Sequence, residues 1–167
     1  YDFTGNFSLM VRHSLDRMNE GRETKVPFSY SRMARGGYFL TDILSQETNS
    51  DFLATYKKDA GQLDFNVSAG GNIMHRELSS SSVGSGSNRN NGLVIPGVYN
   101  VQNIPLDNIR VSSDINEKAI YSLYALASIG FNDQLYLDVS GRNDWSSTLP
   151  PGKNRSYFYP SASLSWL

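Results

Sequence analysis

The chain has 167 residues, of which 39% are hydrophobic, 12% aromatic and 19% charged, and 15 Lys and Arg against 16 Asp and Glu leave a net charge of −1. With no basic block there is no phosphate footprint for nucleic acid, and with no continuous run of about 18 apolar residues no spanning helix is expected. The absence of cysteine removes disulfides, thiolate metal sites and cysteine nucleophiles.

Taken in order, Tyr1 to Phe3 read as the tail of a strand, and Thr4, Gly5 and Asn6 as a tight turn. A first long strand is predicted over 7–18. Phe7, Leu9, Val11, His13 and Leu15 face one way, and Ser8, Met10, Arg12, Ser14 and Asp16 the other. Residues 19–35 are polar and carry Gly21, Pro27 and four basic side chains, which predicts a long loop. A less regular strand over 37–58 is longer than one membrane crossing, so its first half is expected to project beyond the bilayer. After a short turn at Asp59, Ala60 and Gly61, a strand over 63–78 alternates Leu63, Phe65, Val67, Ala69, Gly71 and Ile73 with Asp64, Asn66, Ser68, Gly70, Asn72 and Met74.

The low-complexity run from Ser79 to Gly92, nearly all Ser, Gly and Asn, predicts a flexible segment, and the connection continues to about Asn116. A connection of that length in an ordered protein is usually functional or mobile. Strands follow over 119–131, where Tyr121, Leu123, Ala125, Ala127 and Ile129 share a face, and over 135–145, after a turn at Asn132 and Asp133. In the latter, Leu135, Leu137 and Val139 oppose Tyr136, Asp138, Ser140, Arg142 and Asp144. The last strand, 156–166, sets Phe158, Pro160, Ala162, Leu164 and Trp166 against Tyr157, Tyr159, Ser161, Ser163 and Ser165, and a polar loop over 146–155 precedes it.

Short turns and long loops therefore alternate, and the strands are apolar on one face and polar on the other. The fold class expected is all-β, an antiparallel meander forming part of a transmembrane outer-membrane β-barrel, whose strands need only about 9 to 11 residues to cross. A soluble β-sandwich, acting as an extracellular adhesin or glycan-binding module, also alternates and stays open at this point. About six strands are too few for a plugged transporter barrel of about 22. Both ends of the chain fall inside strand patterns, so residues 1–167 are expected to be a partial barrel.

Candidate chemistry is sparse. His13 and His75 lack neighbours at ligand spacing, and no metal site is expected. Asp138, Ser140, Arg142 and Asp144 share the polar face of one strand and are the lumen-facing candidates. Acid/base work by the two carboxylates is the weaker reading, because nothing nearby supplies a nucleophile or a pKa-shifting pocket. GxSxG is absent, and Gly84 and Gly86 lack the following helix of a phosphate site. No catalytic residue, cofactor or enzymatic activity is expected. Trp145, Tyr157 and Trp166 lie near strand ends, as an aromatic girdle would; Tyr99 and Trp145 are the candidates for saccharide stacking.

The run RNDWSSTLP at 142–150, followed by SYFYPSASLSW at 156–166, resembles a signature of the SusC-like TonB-dependent transporters of the Bacteroidetes outer membrane. The matching positions are Arg142, Asn143, Asp144, Trp145, Ser146, Ser147, Leu149 and Pro150, then Tyr157, Phe158, Tyr159, Pro160, Ser161 and Trp166. The segments DFLATYKKDAGQLDFNVSAGGNI and YSLYALASIGFNDQLYLD are similar to barrel strands of the same family in the same order. The resemblance implies active nutrient import, of oligosaccharides or sometimes peptides, through an integral barrel of the outer membrane. It further implies a SusD-like surface lipoprotein as partner and a TonB complex reached through an N-terminal plug that these residues do not include. The long loops at 19–35, 79–116 and 146–155 are then expected on the outer edge, meeting the lipoprotein or the nutrient.

Overall fold

The computed structural model describes residues 1–86, 92–150 and 155–167. Residues 87–91 and 151–154 fall in two of the expected loops and lie outside the described residues. Seven strands form one sheet in sequence order: β1 (Asp2–Thr4), β2 (Phe7–Val26), β3 (Gly37–Ala60), β4 (Leu63–Ser85), β5 (Ile109–Phe131), β6 (Leu135–Ser146) and β7 (Ser156–Trp166). The antiparallel meander is as the alternation predicts. A sandwich would split the strands between two layers, whereas each strand here pairs with its neighbour in sequence.

Strand ends near the short turns match the sequence expectation, as do the far ends of β3, β6 and β7, whereas those of β2, β4 and β5 do not. β2 continues to Val26 through a stretch expected as loop, β4 continues to Ser85 through the supposedly flexible serine run, and β5 begins at Ile109 instead of 119. The short turns have the chemistry that their residues permit. Asn132 and Asp133 both take positive φ, 51° and 56°, and Gly61 takes 70°. The first turn, at Thr4, Gly5 and Asn6 as expected, uses no positive φ: Thr4 Oγ1 accepts hydrogen bonds from the backbone N–H of Asn6 at 3.3 Å and of Phe7 at 3.1 Å.

The chain divides into two compact units. The first comprises Tyr1–Asp16, Glu47–Arg76 and Lys118–Leu167, and the second Arg17–Gln46 and Glu77–Glu117. In the first unit, β5 and β6 pair from Ile120↔Ser146 to Phe131↔Leu135, and β6 and β7 from Trp145↔Ser156 to Leu135↔Trp166. This register puts Leu123, Ile129, Leu137, Val139, Ala162 and Leu164 on one face, and Ser122, Tyr124, Asp138, Ser140, Arg142, Asp144, Tyr159, Ser161 and Ser163 on the other.

Hydrogen bonds carry the same division across the remaining strands. Asp51 and Asn72 meet on the polar side, as do Thr55 and Ser68, while Gly71 lies beneath Phe52 and beside Leu123 on the apolar side. Large apolar side chains on the latter face are open to the surroundings, with Leu164 68% exposed and Ile73 52%. A protein in water rarely leaves a whole sheet face of this kind uncovered.

The second unit has the buried hydrophobic cluster, Tyr38, Leu93 and Ile104, with Leu40, Tyr99, Val101 and Ile109 packed around it. Arg35 joins two connections of this unit, donating from Nε to the carbonyl of Leu93 at 2.9 Å and from Nη2 to that of Val94. Asn103 ends a single 3-10 turn (Val101–Asn103), and its amide holds the preceding loop. Oδ1 accepts from the N–H of Ile95 at 2.9 Å, and Nδ2 donates to the carbonyls of Ile95 at 2.8 Å and Val98 at 2.7 Å. The described part of the long 79–116 connection is thus two strand ends and a tied loop.

Candidate lumen-facing site

Five strands of the first unit contribute to the site. On β2, Arg12 points to the polar face because the alternation that turns Val11 outward turns its neighbour inward. Its Nη2 lies 3.0 Å and its Nε 3.1 Å from Oδ2 of Asp51 on β3. The other carboxylate oxygen of Asp51 accepts from Asn72 Nδ2 on β4 at 2.7 Å. One carboxylate therefore ties three adjacent strands together, and it is recessed, with its side chain 11% exposed against 66% for Arg12.

A second group sits on β5 and β6. Arg142 Nε donates to Asp144 Oδ1 at 2.8 Å and Nη2 to the buried hydroxyl of Ser122 at 3.1 Å. Its guanidinium carbon lies 6.0 Å from the ring centroid of Tyr124, which stands directly across the strand pair. Here again the cation stands forward, at 49% exposure, and the carboxylate back, at 26%. Arg12, Asp51 and Asn72 of the first group and Arg142 and Tyr124 of the second line one open concavity of about 720 Å³, together with Ser14, Asn49 and Ser140. A smaller hollow of about 290 Å³ continues along the same face past Ser140 to Asp138, Asn66, Ser68 and Ser163.

Each sequence-derived candidate has a clear place. Asp138, Ser140, Arg142 and Asp144 all lie on the polar face, and Asp138 accepts from Ser163 Oγ at 3.4 Å. Trp145 lies on the opposite face, where Val11, Phe52, Ile73, Tyr121 and Leu123 form an apolar notch of about 430 Å³. This notch is on the far side of the sheet from the polar concavity. Tyr99 belongs to the second unit, half-buried with its ring 6.4 Å from that of Tyr38, so one of its faces is committed to packing.

His13 shares a hydrogen bond with Ser50 Oγ at 2.9 Å on the apolar side. Asp51 is the residue the sequence alone did not single out. Its neighbours Thr48, Asn49 and Ser50 are polar on both faces of β3, and only counting back in twos from the Gly61 turn would have placed it.

One face apolar and uncovered, the other polar and hydrogen-bonded across strands, with long strands meeting at short turns, define a wall of a transmembrane β-barrel. The whole chain, residues 1–167, matches the family model described as TonB dependent receptor-like, beta-barrel, and the chain belongs to that family. This meets the expectation drawn from the SusC-like signature and places the protein in the outer membrane as an integral β-barrel.

Solved structures with the same fold include the RagAB peptide transporter, with a TM-score of 0.74 at 20% identity, covering 96% of this chain and 18% of that one. The RagAB peptide importer in its open-open state gives a TM-score of 0.78 at 18% identity, over the same shares of the two chains. In its closed-closed state the values are 0.74 and 19%. The chain spans less than a fifth of each of these three solved chains. No curated protein matches it.

Proposed function

We propose that this chain is part of the wall of an outer-membrane importer that takes up nutrients actively, with the polar face of the first unit turned to the lumen. The observation that supports the reading is the division of faces in a chain of the TonB-dependent receptor family. Asp138, Ser140, Arg142 and Asp144 join Arg12, Asp51 and Asn72 in a wetted, hydrogen-bonded surface, while Leu137, Val139 and Ile73 meet lipid on the other side.

Strand length supports the reading that strand ends and the second unit's loops lie beyond the bilayer. The 24 residues of β3 extend roughly 80 Å at about 3.3 Å each, against an apolar band about 25 Å tall. The tied loops of that unit are then available to a SusD-like surface lipoprotein or to the arriving nutrient. Energy would come from a TonB complex through an N-terminal plug.

Oligosaccharides are the substrate class favoured by the SusC-like signature. Peptides are the second reading, favoured by the fold's likeness to the RagAB peptide transporter. Growth and uptake of a deletion strain on defined glycans and on peptides test both. Selective loss on one class assigns the substrate, and unchanged uptake of every nutrient with loss of cell adhesion would overturn import.

A further inference from the structure

In both charged groups of the polar face the carboxylate is recessed and the guanidinium stands forward. Asp51 accepts from Arg12 through one oxygen and from Asn72 through the other, and is shielded by them. Asp144 is held back by Arg142, which Ser122 and the ring of Tyr124 also orient. Each guanidinium uses Nε and Nη2 for these tethers, Nη1 takes part in neither, and both arginines line the shared concavity of about 720 Å³.

The groups are neutral when counted as pairs, yet what an occupant meets first is two oriented cations. Fixed guanidinium forks of this kind match a planar anion, and their geometry is set before it arrives. The hydroxyls of Ser14 and Ser140 and the amide of Asn49 on the same walls supply further hydrogen-bonding groups.

We propose that Arg12 and Arg142 form a carboxylate-binding subsite on the lumen wall, through which the importer prefers substrates bearing an acidic group. This rests on the reading of the polar face as lumen. The group is a carboxylate in either case, supplied by a uronic acid in an oligosaccharide or by the C-terminus or an acidic side chain of a peptide.

The test uses the full-length transporter in its own outer membrane. Uptake is compared for an oligogalacturonide and its methyl ester, and for a peptide pool with free and amidated C-termini, in wild type, Arg12→Gln, Arg142→Gln and the two Arg→Lys variants. The expected result is a preference for the carboxylated member in at least one pair, falling about tenfold in each Gln variant and less in each Lys variant. The pair that shows the preference identifies the carboxylate's source.

A Gln variant in which both members of each pair fall equally would overturn the proposal, because the arginines would then be holding the barrel or its plug together. Equal uptake of both members by wild type would overturn it too. If a Gln variant fails to reach the membrane, its Lys variant decides: an unchanged preference there counts against the fork geometry. Failure of the import reading is separate, since a deletion strain would then take up every ligand as wild type does.

Discussion

A Cβ built on Gly71 would stand 2.7 Å from Cε1 of Phe52, so the aromatic ring of β3 lies across the glycine of β4 on the apolar face. Leu123 Cδ2 and the carbonyl oxygen of Ser122, both 3.0 Å from the same point, close the space from β5. A glycine in a strand normally weakens it, and here it leaves the room that the ring of the neighbouring strand occupies. Gly71→Val should therefore destabilise the barrel by about 1–3 kcal/mol despite the better strand propensity of valine. Phe52→Ala should recover part of that loss in the double variant. Unfolding of the full-length protein in detergent or bilayers measures both, and strictly additive effects would show that the ring and the glycine are not coupled.

Leu137 and Ser140 lie on the same strand three residues apart and face opposite ways, Leu137 opposite Ile129 and Leu164, Ser140 opposite Leu126 and Ser161. Arginine at 137 would have to leave its charge in hydrocarbon, at a cost of about 2–4 kcal/mol near the midplane and less toward the interfaces. Ser140→Arg places the same charge beside water and should cost far less. Equal tolerance at both positions in a bilayer unfolding assay would contradict the assignment of faces.

The inner halves of the strands were legible in the sequence because two solvents act on them. Lipid selects Leu63, Phe65, Val67 and Ile73, the polar side selects Asp64, Asn66, Ser68 and Asn72, and the resulting period of two is easily read. The turns at Gly61 and at Asn132 and Asp133 punctuate it with residues that accept positive φ. The far ends of β2, β4 and β5 were not legible. In Asn19–Val26, Ser79–Ser85 and Ile109–Lys118, few large apolar residues mark a face, and the backbone ladder holds the strand. A ladder leaves no periodic trace in side chains, so a strand such as SSSSVGS looks like a linker. The same absence of contrast around Thr48, Asn49 and Ser50 concealed Asp51, although Arg12 and Asn72 had been placed on the correct face.

In the second unit, which the proposed function sets outside the membrane-spanning segments, the Tyr38 hydroxyl donates to Glu23 Oε1 at 2.8 Å and Lys25 Nζ lies 3.1 Å from Oε2. The first contact, with help from the second, holds the Glu23 carboxyl below its ordinary range, and the same hydrogen bond raises the Tyr38 phenol above its own. A depressed acid contributes above its unfolded pKa and loses that contribution as pH falls through the folded one. A raised phenol contributes below its unfolded pKa and loses it as pH rises through the folded one. The tether should thus be complete between about pH 5 and pH 9 and weaken on both sides. Amide protection factors at residues 22–24 and 38, with the intrinsic pH dependence of exchange divided out, should be largest inside that window in wild type. Tyr38→Phe should remove the alkaline limb and shrink the acid one, which the Lys25 pair keeps in part, and a variant with the wild-type profile would disprove the tether.

Asn103 offers the sharpest test of whether the second unit's long loop is preassembled. Its amide makes three of the bonds that shape residues 95–98, two of them donated by Nδ2, while the backbone bond from Val94 N–H to its carbonyl at 2.9 Å does not involve the side chain. Asn103→Ala should cost roughly 1 kcal/mol or more per bond lost, locally, and speed amide exchange at 94–98 by at least about tenfold. Asn103→Asp keeps the acceptor for Ile95 N–H but sets a carboxylate against the carbonyls of Ile95 and Val98, so it should loosen the loop as well. Leu93, Ile104 and Tyr38 should keep their protection in both variants, because apolar packing and the Arg35 bonds to the Leu93 and Val94 carbonyls remain. Exchange at 94–98 that is already fast in wild type would mean that the amide does not order the loop. Protection lost across the whole cluster in Asn103→Ala would instead make Asn103 part of the unit's core.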